Sequence, residues 1–332
     1  MPLSLRRGTV TAIVERLDGL TRIEVDDQRC VAYPRLTGPV EVGDEVLVNV
    51  QARDLDLGSG GFDVLHCNLT RGLELEPEPD AHVMTLPYSP LQTAVRHLEE
   101  DGAQAETLNG LPVVCCSLHS QVVPVCAGIG DGPRVAYVQL PGGALPVSLS
   151  DSVRALKERG LVETAVGVGA CFDGDLQAVG VASALAWAAA EGFGAAVCAI
   201  GPGVVGTASR LGHGGVAAAE AANAASALGG APVLAVRVSE GDPRERHRGV
   251  SHHTRAVLDL ALGEPAVAWP AGLGAPAWLG EREEVDVEGW REACSGLPLE
   301  HMGRGPDEDP WFFAAAFAAG RLAGRLAGLR TR

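Results

Sequence analysis

The feature that most constrains the fold is a series of short apolar segments that begins at Leu111. Six such segments, rich in Val and Ala, alternate with segments of helical pattern; they are LPVVCCSL, RVAYVQL, VETAVGVG, AAVCAIG, APVLAVRVS and EPAVAWP. Short and almost wholly apolar segments are typical of strands that are buried on both faces of a sheet. The alternation predicts a three-layer α/β domain with a mainly parallel sheet. Its helices are predicted over 150–159, 176–191, 215–228 and 251–262.

The N-terminal part of the chain has a different pattern, in which apolar and polar residues alternate. The pattern runs from residue 8 to about residue 70 in GTVTAIV, LTRIEV and VEVGDEVLVNV, with DG, DD and VGD turns between. Short strands at this spacing predict a small N-terminal β-barrel, structural or oligomer-forming. A helix is predicted from Ser89. We therefore expect a barrel domain over 1–75, a linker and helix over 76–110, and the α/β domain over 111–332.

The charge balance and the cysteines limit the partners and the compartment. The chain carries a formal net charge of −16, which argues against general nucleic-acid binding and against docking on an anionic membrane. Its eight cysteines form no CxxC pair, and MPLSLRR does not resemble a signal peptide. We therefore expect reduced thiols and a cytoplasmic location. The most hydrophobic region, 179–200, is interrupted by a glutamate and two glycines, which favours a buried helix and strand over a membrane span.

The C-terminal part of the chain predicts one long helix after an acidic segment. Residues 281–309 hold ten acidic residues against three arginines and are expected to form a solvated excursion. Within it, MGRGPDEDP is interpreted as a plain turn, with Arg304 as an alternative anion contact. The helix predicted over 310–329 carries GRLAGRLAG and either covers the sheet or pairs with another subunit. A homo-oligomer formed through the barrel or through this helix is one expectation.

The loops that follow the strands are the candidate functional site, because ligands of parallel α/β sheets bind at the carboxyl ends of the strands. The segment from Arg237 to Thr254, RVSEGDPRERHRGVSHHT, has four arginines and three histidines in one such loop. The other candidate loops are 119–121, 141–151, 170–175 and 201–215. If the topology is correct, all of them lie along one rim of the sheet.

Two interpretations of the arginines in this segment stay open. In an extended segment, Arg244, Arg246 and Arg248 would project from one face, since side chains alternate with a period of two. Three guanidinium groups on one face would suit a phosphate or a polycarboxylate. Alternatively, they pair with Asp242 and Glu240 and have only a structural role.

The histidines of the segment are candidates for proton transfer. Ser251 is a natural N-cap, which places His252 and His253 in the first turn of a helix. Helical neighbours do not share a face, so we expect one of the two to point into the site. The positive end of the helix dipole favours a neutral imidazole, which can act as a general base. Otherwise the pair is structural. Asp242 would orient the base, and His119 or His213 would be a second proton donor; His213, in GHGG, could equally be a solvated loop residue.

The glycine-rich loop that begins at Gly201, GPGVVGT, is interpreted as an anion-binding or tight-turn loop. Its candidate ligand-binding residues are Gly201, Gly203, Gly206 and Thr207, whose backbone could approach a phosphate. A dinucleotide site is not favoured, since a proline removes one amide and no helix follows promptly. No cofactor is therefore assigned.

A metal site is also not assigned. Asp173 and Asp175 in FDGD could join His119 and one of the 252/253 pair around a divalent metal. No HxxxH, HxH or DxDxDG spacing supports that arrangement, and turn and N-cap roles explain the two aspartates equally well. We therefore assign no residue to a metal.

Taken together, these motifs resemble an uncharacterised bacterial family. GPGVVGT with GHGG, DPRERHRGVSHHT and MGRGPDEDP, behind the barrel and the segment MTLPYSPLQTAV, are similar to a domain of unknown function of about this length. The resemblance implies a bacterial origin and a cytoplasmic setting but no activity. Our leading hypothesis is an enzyme of hydrolase or transferase type that acts on a small anionic metabolite at the rim of the sheet. The alternative is a non-catalytic metabolite sensor that uses the same pocket; a structural role would leave the loops scattered.

Overall fold

The structure is a computed structural model that describes residues 3–57, 61–71 and 75–330. The chain divides into two compact units, the first ending at Arg96 and the second beginning at His97. Each unit has its own strands and its own apolar core.

The first unit is built on a closed five-stranded barrel, as predicted. Its elements are β1 Leu5–Leu17, β2 Leu20–Val25, β3 Gln28–Ala32, α1 Pro34–Thr37, β4 Glu45–Asn49, α2 Gln51–Asp54 and β5 Asp63–Asn68. The strands follow the order β1-β2-β3-β5-β4, and all neighbours are antiparallel except β3 and β5. Alternate apolar residues such as Val10, Ile23 and Val48 fill the interior, which is the period-two pattern of the sequence.

The helix predicted from Ser89 is wrong. Residues 83–95 form a hairpin of β6 Val83–Thr85 and β7 Thr93–Val95, and only afterwards does α3 Leu98–Asp101 begin. Pro87 and Pro90 flank Tyr88, which adopts φ +58°, so this turn cannot continue as a helix. The β-branched Thr93 and Val95 then pair with the strand before the turn.

The second unit contains the predicted parallel sheet. Its strands are β8 Pro112–Cys116, β9 Val135–Leu140, β10 Thr164–Val168, β11 Leu176–Ala178, β12 Ala195–Ile200, β13 Ala231–Ala235, β14 Val238–Ser239, β15 Gly249–Val250, β16 Ala266–Pro270 and β17 Glu283–Val285. Eight of them form a parallel sheet in the order β11-β10-β9-β12-β8-β13-β16-β17. The remaining two, β14 and β15, pair antiparallel outside it. All six predicted strands are present.

Helices cover both faces of this sheet, which confirms the three-layer α/β architecture. They are α4 Val122–Ile129, α5 Asp151–Glu158, α6 Val181–Ala190, α7 Ala217–Ala227, α8 His252–Leu260, α9 Trp290–Ala293 and α10 Pro310–Arg330. One core packs α4, α5 and α10 on one face, and the other packs α6, α7 and α8 on the opposite face. Alternate residues of β8 serve the two cores, since Val114 belongs to the first and Val113 to the second.

The order of the strands reverses between β8 and β12, at the centre of the sheet. From β8 the chain passes through α4 to β9 on one side, whereas from β12 it passes through α7 to β13 on the other. The loop after β8 and the loop after β12 therefore lead to opposite faces of the sheet. Such a point is the usual ligand crevice of an open α/β sheet.

Two predicted segments differ from the structure, and one helix was not predicted. The helix predicted over 176–191 begins only at Val181, because 176–178 form the edge strand β11. Helix α4 was not predicted, since VVPVCAGI is apolar on every side and shows no amphipathic period. The segment 281–309 is not wholly a solvated excursion: it contains β17 and α9, and Val285 and Asp309 in it are buried.

The last helix, α10, covers the sheet by packing against α4. A Cβ atom at Gly320 would lie 2.0 Å from the Val125 carbonyl oxygen, so glycine is required where the two helices touch. This helix is long and apolar enough to cross a membrane, but 67% of its most apolar window is buried inside the protein, as in the core helix of a soluble protein. Pairing with another subunit, through this helix or through the barrel, stays a prediction.

The eight cysteines are all free, and Cys67 alone is partly exposed. Four of them, at positions 115, 116, 126 and 198, lie inside the second unit on strands β8 and β12 or on α4. Burial raises the pKa of Cys115 to about 12, so its thiol stays protonated. These cysteines fill space between the layers as small apolar residues.

Candidate functional site

The loops that follow the parallel strands contact one another along the carboxyl end of the sheet. The joining contacts are Val147 N to Phe172 O (2.9 Å), Ala144 N to Pro202 O (2.8 Å), His119 Nε2 to the Ser150 hydroxyl (2.7 Å) and the stack of His213 on His253 (3.6 Å between ring centroids). All five candidate loops are therefore linked by direct contacts, and they form one continuous rim.

Two glycines of the 201–215 loop allow it to pack closely against the 141–151 loop. A Cβ atom at Gly201 would lie 2.0 Å from the Ala144 carbonyl oxygen, and one at Gly214 would lie 1.9 Å from the Gly142 carbonyl oxygen. Such distances leave no room for any side chain. The glycines at these two positions are thus explained by backbone packing, without a phosphate.

The remaining candidates in that loop are placed differently from one another. Gly203 is exposed at φ +70° with open space beside it. Gly206 pairs with His213 in an isolated bridge. The Thr207 amide donates to Gly212 O (2.7 Å), and its hydroxyl lies 2.9 Å from that of Ser209. The hydrogen bonds of Thr207 therefore lie within its own loop. Among these candidates, Gly203 is the residue with open space beside it.

The arginines of the segment Arg237–Thr254 do not project from one extended face, so the first of the two interpretations is wrong. Residues 245–247 form a short 3₁₀ helix, and the Asp242 carboxylate accepts the backbone N–H of Arg244 at 3.0 Å, which bends the chain. Arg244 also donates to the same carboxylate through Nε (2.9 Å) and Nη2 (2.8 Å). This is the pairing with Asp242 that was the alternative interpretation. Arg246 and Arg248 are exposed and form no ion pair with another described residue.

Asp242 is the centre of a buried cluster of charges. It is fully buried, and the guanidinium groups of Arg237 (3.5 Å), Arg244 (2.8 Å) and Arg304 (3.4 Å) lie around it. Burial alone would raise the pKa of Asp242, but the hydrogen bonds and charge of Arg244 outweigh it and hold that pKa well below its usual range. Arg304 is thus an ion-pair partner inside the cluster and not part of a plain turn.

A second buried carboxylate completes the cluster. Asp309 accepts from Arg304 Nε (3.2 Å), from the Ser239 hydroxyl (2.5 Å) and from the Glu240 amide (3.1 Å). Three arginines therefore face two aspartates, which leaves one positive charge in excess. Burial lowers the pKa of Arg237 to about 10, which still keeps it charged at neutral pH.

Four histidine rings lie against this cluster. His213 stacks on His253, and the rings of His247 and His252 lie 5.0 and 4.5 Å from that of His253. Arg237 donates through Nη1 to Nδ1 of His253 at 3.1 Å, so the other ring nitrogen of His253 carries its proton. All four histidines were noticed in the sequence, with His213 as a candidate proton donor, but no sequence pattern indicates that His213 stacks on His253.

The helix start that positions two of these rings is the predicted one. Ser251 caps α8, and its hydroxyl accepts from the His253 amide at 3.2 Å while lying 2.7 Å from Nδ1 of His247. His253 is buried and His252 is only half-buried. As expected, the two neighbours have different environments, and His252 is the more exposed of the two.

All four rings are neutral at pH 7. Burial, followed by the charges of Arg237 and its neighbours, lowers the pKa of His253 to about 2 and that of His247 to about 3. Burial also lowers the pKa of His213 and His252. Two buried ring nitrogens, Nδ1 of His213 and Nε2 of His252, have no hydrogen-bond partner among the described residues.

The ring nitrogens of His213, His252 and His253 lie within 4.8 Å of one another, but their arrangement does not suit a metal ion. A ligating imidazole holds the metal in the plane of its ring. The rings of His213 and His253 are stacked at 3.6 Å with only 11° between their planes, so the two planes share no point near both rings. Arg237 also donates to His253 and repels a cation.

Of the other residues considered for a metal site, Asp175 and His119 have hydrogen-bond partners of their own. Asp175 accepts the Ala165 amide at 2.8 Å and pairs with Lys157. Asp173 lies in a turn at φ +66°. His119 lies 2.7 Å from the Ser150 hydroxyl and 3.3 Å from the Ile200 carbonyl, and burial lowers its pKa to about 4. The structure therefore places His119 in a hydrogen-bonded group separate from the four clustered histidine rings.

Sequence reasoning missed one histidine of the rim. His301 is buried, stacks on Phe312 (3.8 Å between ring centroids) and lies 3.1 Å from the hydroxyl of Ser120 through Nδ1. It comes from the acidic segment that was expected to be solvated, and 181 residues separate it from Ser120. No local sequence pattern indicates that Ser120 and His301 are in contact.

The structure also contains a cavity of about 440 Å³ between α9 and α10. Val287–Glu292 at the start of α9 and Pro310, Trp311 and Ala314 of α10 line it. It contains none of the charged or histidine residues described above, so we do not assign the site to it.

Comparison with known proteins adds the family and no activity. No curated protein and no solved structure matches the chain significantly. A family model described as "Protein of unknown function (DUF3866)" matches residues 29–320, which include the last three strands of the barrel apart from Gln28, the whole parallel sheet and every residue of the histidine and arginine clusters. The chain therefore belongs to the DUF3866 family.

Proposed function

We propose that the carboxyl end of the sheet binds a small anionic molecule and acts on it as an enzyme of hydrolase or transferase type. The observation that carries this proposal is the combination of excess arginine charge with neutral imidazoles whose buried nitrogens lack partners. A buried polar atom without a partner costs about 1–3 kcal/mol, so its presence favours a ligand that satisfies it. The rim position at the strand reversal is the usual place for such a ligand.

In this proposal the residues divide into two roles. Arg246, which is exposed and has no ion-pair partner among the described residues, and the exposed part of Arg244 attract the anion. His252 is half-buried and neutral, and its Nε2 has no partner, so it transfers the proton. His253 was the other predicted base, but Arg237 holds its Nδ1, so we assign it a positioning role.

A non-catalytic metabolite sensor is the second candidate. The low pKa values of His247 and His253, about 3 and about 2, favour it, because a general base works best with a pKa near the working pH. A sensor would bind its ligand and leave it chemically unchanged. For either function we propose a bacterial cytoplasmic setting, which the eight free cysteines support.

Binding is tested by thermal denaturation in the presence of sulfate, phosphate, di- and tricarboxylates and nucleotides. A ligand at one hundred times its Kd stabilises the native state by about 2.7 kcal/mol. Arg246→Ala is expected to reduce that stabilisation, whereas Arg282→Ala, at an exposed arginine outside the cluster, is expected to keep it. If none of these anions raises Tm at low ionic strength, the proposal is wrong.

Mass spectrometry of each stabilising ligand after incubation separates the enzyme from the sensor. An enzyme converts the ligand, and His252→Gln is expected to abolish the conversion while keeping most of the stabilisation. Full conversion by the variant would remove His252 from the mechanism. Binding without conversion, for the wild-type chain and every stabilising ligand, would support the sensor.

A further inference from the structure

Among the described residues, three serine–histidine pairs lie along the rim, and one of them differs from the other two. Ser150 pairs with His119 and Ser251 pairs with His247, but both serines are at most 2% exposed and both cap helices. Their hydroxyl oxygens already accept backbone N–H groups. Ser120, the third, is half-buried and caps no helix, so among the described pairs its hydroxyl is the one that a substrate can reach.

Ser120 stands at the point where the sheet topology places ligands. It follows β8 by four residues, at the reversal of strand order between β8 and β12. It also precedes α4 by two residues, and the positive end of that helix dipole favours negative charge on a nearby oxygen. The hydroxyl is therefore in an environment that suits a nucleophile.

Its partner His301 is held in one orientation. The ring stacks on Phe312 with only 1° between the planes, and the backbones of His301 and Arg304 exchange hydrogen bonds of 2.8 and 3.0 Å. The Ser120 hydroxyl lies 3.1 Å from Nδ1, while Nε2 is buried without a partner among the described residues. If Ser120 donates to Nδ1, Nε2 carries the ring proton and is a buried donor without a partner among the described residues.

The charge around His301 connects it to the proposed anion site. Burial, then Arg237 and Arg304, lower the pKa of His301 to about 3, so the ring is neutral and its Nδ1 is free to accept a proton. An anion bound beside these arginines would offset their charge and make the imidazole a stronger base. The pair would then become active only when an anionic substrate is in place.

We propose that Ser120 is a nucleophile and His301 its general base, for acyl transfer from an ester or thioester that carries an anionic group. This inference rests on the proposed anion site. Oγ of Ser120 bonds to the acyl carbon as its proton passes to Nδ1 of His301, and the same proton then goes to the departing alcohol or thiol. Water next attacks the acyl-serine, gives a proton to His301, and releases the carboxylic acid as Oγ regains its proton.

The test is labelling of the full chain with a fluorophosphonate, which bonds to activated serine hydroxyls and releases fluoride. We expect one adduct per chain, located at Ser120 by peptide mass spectrometry, and no adduct in Ser120→Ala. Ser295→Ala, at an exposed serine outside the site, is the matched control and is expected to label at the wild-type rate. His301→Gln is expected to slow labelling about 10²-fold or more, the usual contribution of a general base, with its fold checked by circular dichroism.

The proposal is overturned if the wild-type chain stays unlabelled, if the adduct lies on another serine, or if His301→Gln labels at the wild-type rate. Sulfate-induced stabilisation of Ser120→Ala separates this result from the proposed function. If sulfate still raises Tm while labelling fails, only the serine–histidine pair is wrong. If Ser120 is labelled but no anion raises Tm, the pair stands and the anion site is wrong.

Discussion

Acidification from pH 7.5 to 5.5 is expected to destabilise the second unit strongly, because three of its buried histidines are neutral. His247, His253 and His301 are 2–4% exposed, and their pKa values are lowered from 6.5 to about 3, about 2 and about 3. In the unfolded chain each would bind a proton as the pH falls through 6.5, whereas in the folded chain it stays neutral. Their contribution to stability is therefore present above pH 6.5 and is lost as the pH falls toward the folded pKa values.

The size of the effect follows from proton linkage. At pH 5.5, one unit below the unfolded pKa, each histidine removes about 1.4 kcal/mol from the free energy of unfolding. The three together remove about 4 kcal/mol, a large part of the 5–15 kcal/mol of a typical domain. Exposed carboxylates contribute little in this window, because they titrate mainly below about pH 5.

Urea unfolding followed by tryptophan fluorescence measures this loss. All five tryptophans lie in the second unit, so the signal reports that unit. His253→Gln removes one of the three titrating groups and is expected to reduce the difference between pH 7.5 and 5.5 by about 1.4 kcal/mol. His82→Gln, at an exposed histidine of the first unit, is the control and is expected to leave the difference unchanged. The reasoning is refuted if the free energy of unfolding differs by less than about 1 kcal/mol between the two pH values.

Three further predictions concern packing, capping and charge. Gly320→Ala places a Cβ atom 2.0 Å from a backbone oxygen and is expected to lower the free energy of unfolding by about 1–3 kcal/mol. Gly328→Ala, at an exposed position of the same helix, is the control and is expected to raise it by about 0.5–1 kcal/mol. Equal urea midpoints for the two variants would contradict this prediction. Ser150→Ala removes the N-cap of α5 and is expected to lower the free energy of unfolding by about 1 kcal/mol. This loss corresponds to a Tm lowered by about 2–4 °C. An unchanged Tm would show that the cap is dispensable. Asp242→Asn leaves buried arginine charge uncompensated and is expected to lower the free energy of unfolding by about 3–5 kcal/mol. Asp259→Asn, in an exposed ion pair, is the control and is expected to lower it by less than about 1 kcal/mol. Similar losses for the two variants in urea unfolding would contradict the central role of Asp242.

The parallel sheet could be predicted because its signal is local. Each of the six apolar segments is long enough and apolar enough to be recognised as a buried strand without its neighbours. The edge strand β11 has only three residues, and α4 is apolar all round, so neither has a period that reveals it. Pro87 and Pro90 were a local sign against the helix from Ser89, and the turn chemistry outweighed the apolar spacing there.

The site could be predicted only where adjacent residues determine it. The Ser251 cap with His252 and His253 follows from the start of one helix. The orientation of the arginines depends on the bend at Asp242, and the pairing with Arg304 joins residues 62 apart in the chain. Such contacts arise from the tertiary fold, which is why the extended-face hypothesis was wrong and why His301 was overlooked.

The free cysteines between the sheet and its helices can be used to measure local opening of the native protein. Cys115, Cys116 and Cys198 are fully buried on the two central strands, and burial holds their thiols protonated, so a thiol reagent finds no reactive sulfur at the surface of these strands. Their modification requires the helices to separate from the sheet. The rate at which these three sulfurs react therefore measures how often the centre of the sheet, beneath the candidate site, is exposed to solvent.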